Sequence, residues 1–327
     1  MLKINKTKRN LWLNRRGAIL MTVMFLALAV SNLSLALTVK QRTFTSPEEA
    51  VEAVTDALIS EDQRALEAIF GSGNTDLLSS GDPVADQSER ERFLKLYGEK
   101  SRLEQTADTL VLSIGNEDWP FPIPLVEKDG LWRFDTEEGR EEILARRIGR
   151  NELNAIQVCL AYVDAQREYA YTHRDAGGNL QYAQKIKSTK GMKNGLYWET
   201  KEGEDQSPLG PLFAAAQEKG YNVESSGDQP IPYYGYYYRI LKGQGKDAPG
   251  GAYDYMVNGK MIGGFALVAY PATYASSGIM TFIVNHEGVV YQKDLGQNTE
   301  TAAQAMTLFN PGGNWKKVEE VAIGTKD

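Results

Sequence analysis

Three arginines in this 327-residue chain have the type and spacing to hold a negatively charged ligand. Arg146, Arg147 and Arg150 lie close together, and guanidinium groups clustered in this way bind carboxylate and phosphate groups. Acidic residues surround them, which leaves a structural alternative open. Glu142 and Arg146, four residues apart, have the spacing of an ordinary ion pair on a helix, and the other charges can bridge two domains.

A run of tyrosines provides a second candidate site. The segment 233–241 (YYGYYYRIL) is predicted to be a strand. On a strand, Tyr234, Tyr236 and Tyr238 would face one way, and Tyr233 and Tyr237 the other. At least one set must pack on a helix. An exposed set would form a row of rings able to stack on sugars or peptides, so Tyr234, Tyr236 and Tyr238 are candidate binding residues.

Recognised motifs of catalytic, metal-binding and phosphate-binding sites are absent from the sequence. It contains two histidines, His173 and His286, each in a polar segment, and neither a G-x-S-x-G nor an H-E-x-x-H motif. The glycine-rich loops lack the strand-to-helix context of a phosphate cradle. We therefore predict no metal site and no cofactor, and the sequence identifies no catalytic residue. A carboxylate pair stays open, because two well-placed acids suffice for a glycosidase and the chain has 43 acidic residues.

The first half of the chain predicts helices followed by an antiparallel sheet. Ser46 and Pro47 mark the start of a helix, further helices are predicted over 62–70 and 89–97, and 77–86 is predicted to be a loop. Strands are predicted over 109–114, 119–126 and 131–134. Alternate prolines should confine 119–126 to a sheet edge, and Asp129-Gly130 should form a hairpin turn. By analogy this layout is a cystatin-like or NTF2-like cone.

The second half predicts one long helix packed on an antiparallel meander. The helix spans 136–171 with a break at Gly149, and its apolar stripe comprises Leu153, Ile156, Leu160 and Val163. Two hairpins follow, one around Asn258-Gly259 and one around 286–288. The layout is pilin-like, although charged residues replace the hydrophobic first half of a pilin helix. The predicted fold class is α+β.

The N-terminus has the pattern of a secretory signal peptide. Six basic residues and no acidic one occur before residue 17, a thirteen-residue apolar run (18–30) follows, and Ser34-Leu35-Ala36 suits cleavage after Ala36. An uncleaved N-terminal membrane anchor is the alternative. Arg15-Arg16 leaves open whether export uses the general or the twin-arginine route. The predicted organisation is a signal peptide (1–36), an N-terminal α+β domain (37–136) and a domain of a long helix with an antiparallel sheet (137–327).

Cleavage would leave an acidic protein outside the cytoplasm. The formal net charge changes from −7 to −13, because six basic residues and no acidic ones are removed. Such a surface argues against nucleic acid as a partner, and contact with the membrane is expected only through the signal peptide. Cys159 is the sole cysteine, so no internal disulfide can form, and its apolar neighbours predict that it is buried.

Several strings resemble a bacterial family known as domain of unknown function 2950. They are Asp118–Leu125 (DWPFPIPL), Trp132–Asp135 (WRFD), Ala145–Leu153 (ARRIGRNEL), Ser207–Pro211 (SPLGP) and Gly259–Ala266 (GKMIGGFA). The resemblance spans about residues 44–315 and implies an exported protein of Gram-negative bacteria, periplasmic or secreted, with no established activity. It implies no catalytic residue.

Two hypotheses follow for the function. The first is a non-catalytic binding or structural module of the cell envelope, whose partner is an unknown envelope protein or glycan. It predicts an exposed row of aromatic side chains. The second is an envelope glycan hydrolase that uses a carboxylate pair, and it predicts two carboxyls facing each other across a pocket.

Overall fold

The computed structural model describes residues 40–174, 177–201, 203–221 and 231–319. The predicted signal peptide, 1–36, lies outside these residues. From Lys40 onward the chain forms one compact unit with two hydrophobic cores, one built mainly before residue 144 and one after residue 154. The predicted domain boundary near residue 136 stays a prediction.

Four helices open the described chain. They are α1 (Pro47–Ile59), α2 (Gln63–Phe70), α3 (Thr75–Leu78) and α4 (Pro83–Glu99). The predicted start of α1 is confirmed, because the Ser46 hydroxyl accepts the backbone N–H of Glu49 at 3.1 Å. The predicted loop over 77–86 is wrong at both ends, since it contains the last residues of α3 and the first turn of α4. Asp82 caps α4, accepting the backbone N–H of Ala85 at 3.1 Å.

A small antiparallel sheet packs against these helices. Its strands are β1 (Ser101–Thr106), β2 (Thr109–Ile114), β3 (Trp119–Pro120), β4 (Leu125–Lys128) and β5 (Leu131–Phe134). The order is β1-β2-β4-β5, and β3 also pairs with β2. The predicted edge strand over 119–126 is therefore wrong. Prolines cannot donate to a ladder, so the segment pairs with β2 only at its two ends.

Helix α5 (Thr136–Thr172) is continuous, and no break occurs at Gly149. The predicted apolar stripe is wrong in two members, because Leu153 is 49% exposed and Leu160 36% exposed. Val163 of that stripe is buried, and the rest of the face buried against the second sheet mixes small, polar and tyrosine side chains. These include Ala155, Cys159, Tyr162, Gln166 and Tyr169.

The second sheet is antiparallel, and its strands are β6 (Tyr236–Leu241), β11 (Ala266–Pro271), β12 (Met280–Asn285), β13 (Val290–Asp294) and β14 (Lys316–Lys317). Their order is β14-β13-β12-β11-β6. Short strands β7 (Gly243–Gln244), β8 (Tyr253–Asp254), β9 (Met256–Val257) and β10 (Lys260–Met261) form two further pairs. The other α-helices of the described residues are α6 (Gly210–Glu218) and α7 (Thr299–Ala305), the latter preceded by a short 3-10 helix (Gly296–Asn298).

Two of the predicted hairpin turns share one backbone conformation. Asp129-Gly130 joins β4 to β5 and Asn258-Gly259 joins β9 to β10, with all four residues at φ between 51° and 78°. Positive φ at both central positions marks the turn that fits the twist of a hairpin. The structure confirms the α+β class, while the cystatin-like, NTF2-like and pilin-like analogies remain predictions.

Candidate functional site

The candidate tyrosines do not form one exposed row. Tyr234 and Gly235 take positive φ values of 52° and 72°, so the chain turns there and β6 begins only at Tyr236. The alternation that would align Tyr234 with Tyr236 and Tyr238 is thereby broken, and the predicted strand start at Tyr233 is wrong. Tyr236 is fully buried, and Tyr234 and Tyr238 are half-buried.

The hydroxyls of these tyrosines bond inside the protein. Tyr236 donates to the carbonyl oxygen of Met280 at 2.9 Å, and Tyr238 to that of Tyr233 at 3.3 Å. Tyr234 accepts from the Lys219 ammonium, which also lies 4.6 Å above its ring. The second core thus uses its tyrosines as packing residues with satisfied polar ends, which is the ordinary role of buried tyrosine.

The buried carboxylate of Asp82 joins the first helices to this tyrosine region. Its Oδ2 accepts the Tyr221 hydroxyl and the backbone N–H of Gly235, each at 2.8 Å. Burial, with Asp82 beside it, raises the pKa of Tyr221. The prediction of a loop over 77–86 missed a local signal, because Asp82-Pro83 is a typical helix start.

The three candidate arginines all line one cavity of about 310 Å³, a volume at the lower end of the range for small-molecule sites. It lies between the first four helices, the first sheet and the N-terminal part of α5. The side chains from α1, α2 and α3 that line it are apolar except Gln63, and they include Val54, Leu58, Leu66, Phe70, Leu77 and Leu78. Apolar side chains from α4, the first sheet and α5 complete the wall, among them Phe93, Leu96, Ile114, Phe121, Ile123 and Ile143.

Charged groups gather at this cavity with an excess of arginine. Five arginines line it, against two acids, Asp86 and Glu89. The arginines are Arg90, Arg92, Arg146, Arg147 and Arg150. A local positive excess in a chain with a formal net charge of −7 is a departure from the average surface.

Arg147 holds neighbouring segments in place. Its guanidinium donates to the carbonyl oxygens of Asp76 at 2.5 Å and Leu77 at 2.6 Å, and to the Ser276 hydroxyl at 3.3 Å. Burial lowers the pKa of Arg147, an effect opposed by Asp86 and Asp76. Arg147 therefore contacts residues on both sides of the predicted domain boundary. This is the bridging role that the sequence analysis gave as the alternative to ligand binding.

Arg146 and Arg150 are exposed, and each makes one ion pair within the part of the chain that the structure describes. Arg146 Nε lies 2.6 Å from Glu142 Oε1, which confirms the predicted helix pair, and its guanidinium lies 5.3 Å above the Trp119 ring. Arg150 Nη1 lies 2.8 Å from Glu89 Oε1. Exposed pairs of this kind contribute at most about 1 kcal/mol, so both arginines can exchange partners at little cost.

The two histidines and the cysteine that the sequence analysis considered are packed against other parts of the protein. His173 stacks on Tyr169 at 3.8 Å between ring centroids, and burial lowers the pKa of His286. Cys159 is buried as predicted, and burial raises the pKa of its thiol to about 12. Among the described residues, no group of three or more histidine, cysteine or acidic side chains is placed to hold a metal.

No helix in the described part of the chain combines the length and the apolar character needed to cross a membrane. The chain matches no curated protein and no solved structure. A family model described as "Protein of unknown function (DUF2950)" matches residues 41–318, nearly all of the described chain. The chain therefore belongs to the DUF2950 family.

Proposed function

We propose that this chain is an exported cell-envelope protein that binds a small apolar molecule, without catalysis, in the cavity between α4 and α5. The observation that carries the proposal is a cavity of about 310 Å³ whose wall is mostly aliphatic and aromatic. Natural ligand sites are concave and mostly apolar, with a few polar groups that fix orientation. The signal-peptide pattern before residue 37 supports the envelope location.

This proposal moves the expected contact surface away from the tyrosines. Tyr236 is fully buried and its hydroxyl is bonded to Met280, so this ring has neither surface nor hydrogen bond to offer a partner. The cavity has both an apolar wall and charged groups at one place. Binding by the cavity therefore replaces stacking on the tyrosine segment as the mode of recognition.

Binding is tested with Nile red, an uncharged dye that fluoresces in apolar sites. We expect saturable binding to the purified protein and loss of that binding in Ile143→Trp, which places a large ring in the cavity wall. Leu160→Trp is the matched control, because Leu160 lies on the same helix with 36% exposure and does not line the cavity. Absence of saturable binding, or equal binding by both variants, would refute the proposal.

Glycan hydrolysis by a carboxylate pair is the alternative. The two acids at the cavity, Asp86 and Glu89, are three residues apart on α4, so they lie side by side on one helix face. Glycosidase carboxyls instead flank the scissile bond from opposite sides. Asp86 also accepts from the Ser79 hydroxyl at 3.1 Å, and Glu89 is paired with Arg150. Release of fragments from purified peptidoglycan, abolished by Glu89→Gln, would establish the alternative.

The proposed location has its own test. We expect the protein in the periplasmic or extracellular fraction with Leu37 as its first residue. Intact protein in the cytoplasm that retains Met1 would contradict export.

A further inference from the structure

We infer that the ligand of this cavity is a single-chain amphiphile with an anionic oxygen head group, a carboxylate or a phosphate. This inference rests on the proposed function, because it assigns a chemical class to the molecule that the cavity binds. Its basis is the placement of cationic side chains around an apolar cavity.

The charge around the cavity is the first observation. Five arginines and two acids line it, whereas the whole chain carries more acidic than basic residues. A wholly apolar ligand gains nothing from this excess of arginine. A ligand with an anionic end and an apolar end is complementary to both parts of the wall.

The second observation is that the arginines differ in availability. Arg147 is committed to the carbonyl oxygens of Asp76 and Leu77. Arg146 and Arg150 each hold one exposed carboxylate, Glu142 or Glu89, and Arg92 pairs with none of the residues that the structure describes. Planar guanidinium groups bind carboxylate and phosphate oxygens with two parallel hydrogen bonds. We assign the head group to Arg146 and Arg150, with Arg92 as the third cation nearby.

The third observation concerns the apolar tail. Phe70, Phe93 and Phe121 line the cavity, and Phe121 contacts both of the others, with its centroid 6.5 Å from that of Phe70 and, edge to face, 5.4 Å from that of Phe93. A volume of about 310 Å³ suits one small ligand and is too small for the body of a two-chain lipid. The tail is therefore a single alkyl chain that packs on these rings.

Calorimetry with four probes of equal chain length tests the assignment: dodecanoate, dodecyl phosphate, dodecanol and dodecyltrimethylammonium, each below its micellar concentration. We expect both anions to bind at least about tenfold more tightly than dodecanol, the change expected from one or two charge-assisted hydrogen bonds. The cation should bind most weakly. The tighter anion indicates whether the natural head group is a carboxylate or a phosphate.

Variants identify the arginines responsible. The double variant Arg146→Gln/Arg150→Gln should lose the preference for the anions while retaining its affinity for dodecanol, which also demonstrates an intact cavity. Arg167→Gln is the matched control on the same helix. Arg167 pairs with Asp164 and does not line the cavity, so this variant should keep the preference.

The outcomes separate the inference from the proposed function. Equal binding of dodecanol and the anions, or tightest binding of the cation, overturns the inference and leaves the apolar site standing. A preference for anions that survives in Arg146→Gln/Arg150→Gln also overturns it. Failure of all four probes, together with failure of Nile red, refutes the proposed function itself.

Discussion

The two cores of this protein treat aromatic and charged side chains in opposite ways. The second core buries tyrosines, and Tyr236 and Tyr238 donate their hydroxyls to carbonyl oxygens of the protein. The first core has three phenylalanines around a cavity and arginines beside them, two of which hold only exposed partners. The difference shows that a dense run of aromatic residues is poor evidence for a binding surface. Unfilled volume next to exchangeable charge is better evidence.

The largest effect on stability is expected in the second core. Tyr236→Ala should lower the free energy of unfolding by about 3–5 kcal/mol, because it deletes a fully buried ring and leaves a void. Tyr236→Phe should lower it by only about 1 kcal/mol, because only the hydrogen bond to the Met280 carbonyl oxygen is lost. Urea unfolding measures both values.

The matched change in the first core, beside the cavity, is Phe93→Ala. Phe93 is half-buried beside a cavity, so fewer contacts are lost, and we expect less than half the cost of Tyr236→Ala. Equal costs for the two variants would mean that the first core is packed as tightly as the second, which would break the comparison.

The next effect concerns the connection between the cores. Asp82→Ala removes the acceptor of the Tyr221 hydroxyl and of the Gly235 backbone N–H, both within the protein. Leaving such donors unsatisfied should cost about 3 kcal/mol. Tyr221→Phe alone should cost less, and the two changes should not add, since they remove one shared bond. Strict additivity in urea unfolding would show that Asp82 does not join these segments.

Arg147→Gln should cost about 2 kcal/mol of stability, because the guanidinium bonds to Asp76 and Leu77 are lost. It should leave the ratio of dodecanoate to dodecanol affinity unchanged, since this arginine is already committed. Calorimetry on the folded variant checks the ratio. A fall to the ratio of the Arg146→Gln/Arg150→Gln variant would place Arg147 at the head group instead.

Sequence patterns predicted the elements whose cause is local. The Ser46 cap and the Asp129-Gly130 and Asn258-Gly259 turns depend on a few neighbouring residues, and the structure has all three. The α+β class followed from the sum of such elements. Helix α5 was found, but its buried face was misassigned, because contact with the sheet selects small and tyrosine side chains over Leu153 and Leu160.

The sequence predicted the arginines of the candidate site but not its apolar wall. Arg146, Arg147 and Arg150 stand out by spacing, and the structure brings all three to one cavity. The apolar wall comes from segments that begin as far back as Val54, so no local pattern reveals it. The prediction of a tyrosine row failed at Gly235. Its positive φ turns the chain, so Tyr234 does not alternate along one strand with Tyr236 and Tyr238.

The smallest effect on stability is expected from Glu89→Gln, which should nevertheless strengthen binding of the anionic ligand. Glu89 is exposed and pairs with Arg150 across 2.8 Å, so its loss should change the free energy of unfolding by less than about 1 kcal/mol. The freed Arg150 should raise dodecanoate affinity several-fold and leave dodecanol affinity unchanged. Glu91→Gln makes the same change in net charge on α4, and Glu91 does not line the cavity, so it separates local release from general electrostatics. The gain should vanish when Arg150→Gln is also present, because Glu89 then has no arginine to release. If Glu89→Gln instead weakens dodecanoate binding, the carboxylate supports the ligand site and Arg150 does not exchange its partner for the head group.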